Sequence, residues 1–254
     1  MTEKIREGNV FIFIDTEQKL VPISSNEWLH EKHDGTFFGN MEQLKQAIQD
    51  VIRIVQQNKW FGELEDCIRL YYSEGNPVCL RGDATIGLHR IEQSYEQDLY
   101  QFAHEFSHRC LRDKIPDEYL WFEETLCNLI GYIVMEKLYM MNVHENPQKA
   151  YKIKWFQMTN YSNIVPVIIP EVLKCPSEDL CRQVQVTLTR YLEAFILSNN
   201  EMLCDLQKLP KETCINFIEY LRMWKMNILE VCDAKIMLPD IMEKLYLRMI
   251  QTKK

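Results

Sequence analysis

A chain of 254 residues, 46% apolar and 26% charged, is long enough to bury the core of one large domain or of two subdomains. Its net charge of −8 is spread over mixed-sign segments without a basic block, which excludes a nucleic-acid groove built on phosphate contacts. No apolar run reaches the roughly 18 residues that a membrane-spanning helix needs, so no membrane partner is expected. The opening residues, Met1–Glu17, lack the apolar run and cleavage site of a secretory signal. Nine cysteines with no CxxC pair read as reduced thiols, and the expected compartment is cytoplasmic.

The first hundred residues mix strands and helices. "VFIFI" (Val10–Ile14) and "KLVPI" (Lys19–Ile23) are β-branched and aromatic runs that predict two short strands. Met41–Gln57 carries Leu44, Ile48, Val51, Ile52 and Val55 at spacings of three and four, an amphipathic helix. "CIRLYY" (Cys67–Tyr72) and "ATIGLHRI" (Ala84–Ile91) predict two more strands, separated by the turn signal "EGNP". Ser94 followed by Gln97 is a capping-box pair, so a helix is expected from Tyr95 to about Arg112. Pro116 breaks the chain, and Asp117 is the expected cap of a second helix with a stripe of Leu126, Leu129, Ile130, Ile133 and Val134. Beyond Asn142 the pattern is helical, punctuated at Pro166, Pro170, Pro176, Pro210 and Pro239. The fold class expected is α+β: a mixed α/β unit over 1–113 that ends in the Tyr95 helix, and a mainly helical unit over 114–254.

Chemistry concentrates in "LYQFAHEFSHRC" (Leu99–Cys110), which holds two of the six histidines. Four helical residues turn the chain by about 400°, so His104 and His108 point the same way one turn apart. Two imidazoles so placed can bind one tetrahedral zinc ion, and HExxH on a helix is the signature of that arrangement. Glu105 lies about 100° around the helix, where it can accept a proton from a water without being forced onto the metal. A catalytic zinc needs a third protein ligand, and "DEYLWFEETLCNL" supplies Glu123 and Glu124 on the neighbouring helix. Both remain open on helix phase. Asn128, four residues after Glu124, shares its face and can orient a histidine through the ring nitrogen that the metal leaves free.

"HEFSH" followed by "WFEETLCN" resembles the gluzincin metallopeptidases, the thermolysin-like and aminopeptidase-like superfamily. The resemblance covers about thirty residues. It implies a zincin-like layout, a zinc cofactor, peptide or protein substrates, and peptide-bond hydrolysis by a metal-activated water with Glu105 as general base. It carries the third-ligand role onto Glu124, leaving Glu123 behind the metal, and places Asn128 where the group commonly has an acid touching a zinc histidine. It also implies an exposed edge strand just before the HExxH helix, the position of Ala84–Ile91, to which substrate backbone would pair. Arg109 departs from the pattern, since the residue after the second histidine is usually uncharged. The alternative is a non-catalytic, metal-containing regulatory or peptide-binding protein on the same fold. An oxyanion-stabilising role is left open among His144, Tyr151, Tyr161 and Tyr191, and the HxxH of His30 and His33 reads as a polar loop.

Overall fold

The computed structural model describes residues 2–24, 27–33, 40–80, 82–90, 94–161, 178–212, 214, 216–231 and 237–251. In chain order the strands and first helices are β1 (Thr2–Glu7), β2 (Asn9–Pro22), β3 (Trp28–Lys32), α1 (Met41–Gln57), β4 (Glu65–Ser73), β5 (Val78–Leu80), β6 (Thr85–Leu88) and α2 (Tyr95–Leu111). A 3-10 turn at Asp117–Tyr119 leads into α3 (Leu120–Glu145), followed by α4 (Pro147–Tyr161), α5 (Glu178–Leu197), a 3-10 segment at Asn200–Lys208, α6 (Phe217–Leu229) and α7 (Leu238–Gln251). The architecture is mixed α/β, as expected, and no described helix is long and apolar enough to cross a membrane.

The two predicted N-terminal strands are one. β2 runs through the polar stretch Asp15–Gln18, where the Asp15 carboxylate accepts the amides of Glu17 and Gln18 at 2.9 and 3.0 Å. The pairing of β2 with β4 shifts register there, so the break predicted from polarity is an irregularity inside one strand. β1 covers the first half of β2 and β3 the second, both antiparallel. The β1–β2 turn uses Gly8 at φ 59°, a left-handed conformation open to glycine without strain.

Six strands form one mixed sheet in the order β1-β2-β4-β6-β5, with β3 beside β2. β2, β4 and β6 are parallel, and β5 turns back antiparallel on β6. This corrects the expected edge strand. Within Ala84–Ile91 the strand is Thr85–Leu88, all four residues buried between β4 and β5, and among the described residues β5 is the edge on this side of the sheet. A three-residue strand behind a turn signal carries too little periodicity to be read from sequence. Ile91, Pro166, Pro170 and Pro176 lie outside the described residues.

α1 matches its expected span, with Asn40 accepting the Gln43 amide and the five stripe residues almost fully buried. It packs beside α2, which lies in turn against α3, β5 and β6. One cluster of buried side chains runs from Ile5 to Met242, continuous across residues 113 and 114. Asp113, at φ 59°, closes α2. Asp117 does not cap α3. It begins the 3-10 turn, and the α3 cap position is Tyr119, which makes no side-chain cap bond.

Candidate metal centre

α2 begins where expected, with the Ser94 hydroxyl accepting the Gln97 amide at 3.1 Å. Its direction is set by two ion pairs. At the start, Arg90 grips Asp98 through Nε–Oδ1 at 2.6 Å and Nη2–Oδ2 at 2.7 Å, both side chains fully buried, which ties the β6 exit to the first turn. At the far end, Arg109 makes the same two-pronged contact with Asp66 on β4, at 2.7 and 2.9 Å. Arg109, at the position where the resemblance expects an uncharged residue, is thus a tie between α2 and the sheet.

Between these anchors His104 and His108 face α3. Their Nε2 atoms are 3.2 Å apart, and the rings meet edge-on with centroids 4.9 Å apart. Glu124 closes the group, with Oε2 3.3 Å from His104 Nε2 and Oε1 3.2 Å from His108 Nε2. A tetrahedral ion with ligands at about 2.0–2.1 Å sets its donor atoms roughly 3.3 Å apart, a spacing these separations match, with Glu124 meeting the two imidazoles through different oxygens. Among the described residues His104, His108 and Glu124 form a set that could hold a metal ion.

The surroundings of the donors also suit a cation. Three carboxylates, Glu105, Glu123 and Glu124, stand around two imidazoles in a site where Glu105 is 5% exposed and Glu123 2%. Burial alone would raise Glu124, yet its bonds with His104 and His108 hold it well below the usual carboxylate range. Burial alone would lower His108, but contacts with the Cys127 sulfur and with Glu123 and Glu124 bring it well above the usual imidazole value. A divalent ion would offset two of the three negative charges and take the place of such protons.

Glu123 occupies the opposite side of the second imidazole: His108 Nδ1 lies 2.7 Å from Glu123 Oε1. A proton on Nδ1 shared with Glu123 would leave Nε2, which faces Glu124 and His104, as the nitrogen to ligate an ion that displaces its own proton. Consecutive residues on α3 therefore serve opposite nitrogens of one ring. His104 has no such anchor, and its buried Nδ1 lacks a hydrogen-bond partner among the described residues.

Asn128 is not that partner, which corrects the expectation for it. Its Oδ1 accepts from the Tyr100 hydroxyl at 2.7 Å, while the Tyr100 ring packs 6.1 Å from the His104 ring. Tyr100 went unnoticed in the sequence, although it stands four residues before His104 and shares its face by the same periodicity. Gly131 makes room for it: a Cβ there would meet Tyr100 Cε2 at 2.9 Å.

Glu105 Oε1 is 4.0 Å from His104 Nε2, outside the donor triangle, and burial raises its carboxyl above the ordinary value while the two imidazoles oppose the rise. Edge strand β5 borders this group. Burial pushes the Cys79 thiol on β5 up to about 12, and the neighbouring Glu105 charge adds to the rise. Cys127 is likewise pushed up to about 12 by burial. Of the oxyanion candidates, His144, Tyr151 and Tyr191 are exposed, and Tyr151 stacks on Trp155. The side chain of Tyr161 lies outside the described set. His30 is exposed on β3 with its ring against Tyr71, and His33 neighbours Tyr72. Comparison with family models, with curated proteins and with solved structures finds no match to this chain.

Proposed function

We propose that the chain is a zinc metallopeptidase of gluzincin type, with a zincin-like layout, acting on peptides or proteins in the cytoplasm. The observation that carries this reading is the donor triangle: two imidazole nitrogens and one carboxylate on neighbouring helices, separated by 3.2–3.3 Å. His104, His108 and Glu124 would hold the ion. When bound, zinc supplies Lewis-acid polarisation of a carbonyl and lowers the pKa of a water toward neutrality.

The chain's own residues account for the rest. Glu105 takes a proton from the attacking water and passes it to the leaving amine, from a position beside the donor triangle but outside it, 4.0 Å from His104 Nε2. Glu123 fixes the His108 tautomer. The outer edge of β5, next to Cys79 and Glu105, has no strand paired to it among the described residues and would offer its backbone to an extended peptide.

Metal analysis and a peptide digest with Glu105→Gln test the reading. Protein purified without chelators should hold one zinc per chain, and the variant should keep zinc and fold while hydrolysis drops by about 10²- to 10⁴-fold. Undiminished turnover in the variant, or a chain that holds no stoichiometric metal, overturns it. A chain that binds zinc but cleaves nothing, unfolded proteins included, would be a non-catalytic metal-containing regulatory or peptide-binding protein.

A further inference from the structure

A ridge of exposed apolar side chains runs along the hairpin of α3 and α4. The two helices are separated by a single residue, Asn146, and run antiparallel, with the Glu136–Lys154 ion pair, at 2.9 Å, setting their register. One turn from Glu136 toward the bend stands Met140, and one turn from Lys154 toward the bend stands Tyr151. That register sets the two side by side across the hairpin. Tyr151 stacks on Trp155 with ring centroids 6.4 Å apart, and Met158 extends the line by a further turn. Tyr151 is 66% exposed, Met140 62%, and Trp155 and Met158 57% each.

An aromatic side chain covers about 150–250 Å² when buried, so these four leave roughly 500–600 Å² of largely apolar surface in water. That is the top of the range for the largest patch on a monomer, about 300–600 Å². Two such patches face to face bury about 1,000–1,200 Å², the lower end of specific interfaces. The charges nearby point to the occupant. α4 carries Lys149, Lys152 and Lys154 and no acid, but Lys149 pairs with Asp50 at 3.2 Å and Lys154 with Glu136. Lys152, at the flank, is the cation of α4 left without an ion pair among the described residues. One is too few for an anionic lipid surface, which is held by clusters of about four or more. The crest of the ridge is uncharged, so a second copy meets it with no like charges at the centre.

We propose that this ridge is a dimer interface, α4 packing antiparallel on α4 of a second copy about a two-fold axis at Trp155. Such an axis sets Tyr151, four residues before Trp155, opposite the partner's Met158, three residues after it. A thioether against a ring edge is a favourable contact, and the axis makes it twice. None of the proposed metal ligands lies on α4, so dimerisation is independent of zinc and of peptide hydrolysis.

Sedimentation equilibrium of the full chain from about 1 µM to 1 mM tests the proposal. A reversible monomer–dimer equilibrium is expected, with a dissociation constant on the order of 10–100 µM for so small an interface. It should hold or tighten as salt rises from about 0.05 to 0.5 M, which screens the repulsion between two copies of charge −8. Trp155→Glu sets two carboxylates against each other on the axis and should weaken dimerisation roughly tenfold or more. Tyr151→Ser should weaken it severalfold and decides the matter if circular dichroism finds Trp155→Glu unfolded. Met226→Ser, at a 58% exposed position on α6, should leave it unchanged. A monomer at every concentration, a dimer that dissociates as salt rises, or a dimer that survives Trp155→Glu overturns the proposal. So does equal weakening by Met226→Ser, or a monomer that binds phosphatidylserine vesicles and loses them in Trp155→Glu.

Discussion

Glu123 and His108 are joined by a 2.7 Å hydrogen bond on the side of the imidazole that faces away from Glu124. At the proposed zinc site Glu123→Ala should therefore lower affinity for the ion by about 10- to 100-fold without removing any of the three proposed ligands. Glu123→Gln, whose side-chain oxygen still accepts from Nδ1, should lose much less. Competition against a chelator of known affinity measures both, and equal affinities for Ala and the native residue would show that the bond does not orient the ring.

Breaking the buried Arg90–Asp98 pair should cost far more than its net worth. Burial keeps Asp98 above the usual carboxylate value despite the Arg90 guanidinium, so desolvation offsets much of the attraction. Asp98→Ala removes the carboxylate that faces the buried Arg90 guanidinium and should destabilise the fold by about 3–5 kcal/mol. The double change Arg90→Met with Asp98→Leu should cost much less. Denaturant unfolding of both proteins checks the contrast.

Gly131→Ala puts a methyl group 2.9 Å from the Tyr100 ring. Tyr100 must shift, and its bond to Asn128 beside His104 should break. A loss of about 1–3 kcal/mol is expected. Tyr100→Phe, which deletes only the hydroxyl, should cost about 1 kcal/mol. Thermal unfolding ranks the two, and a Gly131→Ala protein as stable as the native one would mean that the ring has room to move.

Asp205 gives the pH dependence. Burial raises its carboxyl to about 6, with Asp240 adding to the rise and the Leu238 amide, 2.8 Å from Oδ2, opposing it. The folded value exceeds the unfolded value of about 3.9. The folded chain therefore holds this proton more tightly, and ionisation costs stability. That cost is absent below about pH 4, grows between pH 4 and 6, and is constant above. Asp205→Asn still accepts the Leu238 amide and should gain about 1 kcal/mol relative to the native protein at pH 8, after allowance for partial solvent screening. The gain should vanish at pH 4. A difference that does not change between the two pH values rejects this account.

Local signals were legible wherever one helix decided the outcome. The stripe of α1, the Ser94 cap, and the shared face of His104 and His108 all follow from a turn of about 100° per residue. The same rule would have found Tyr100. It could not decide between Glu123 and Glu124, which differ by one such step, because the answer depends on how α3 rolls against α2.

Sequence by itself determined that two imidazoles and a neighbouring carboxylate share one helix, and that a second helix brings glutamates after a tight turn. Only tertiary structure decided the rest: Glu124 beside the paired Nε2 atoms with Glu123 behind them, Asn128 given to Tyr100, β5 rather than β6 at the sheet edge, and Arg109 tied to Asp66. The division has one physical cause. Helical phase and capping are set by residues within a turn of each other, whereas strand order, helix roll and ion pairs such as Arg109–Asp66 join residues far apart in the chain, whose positions are fixed only when the common core closes.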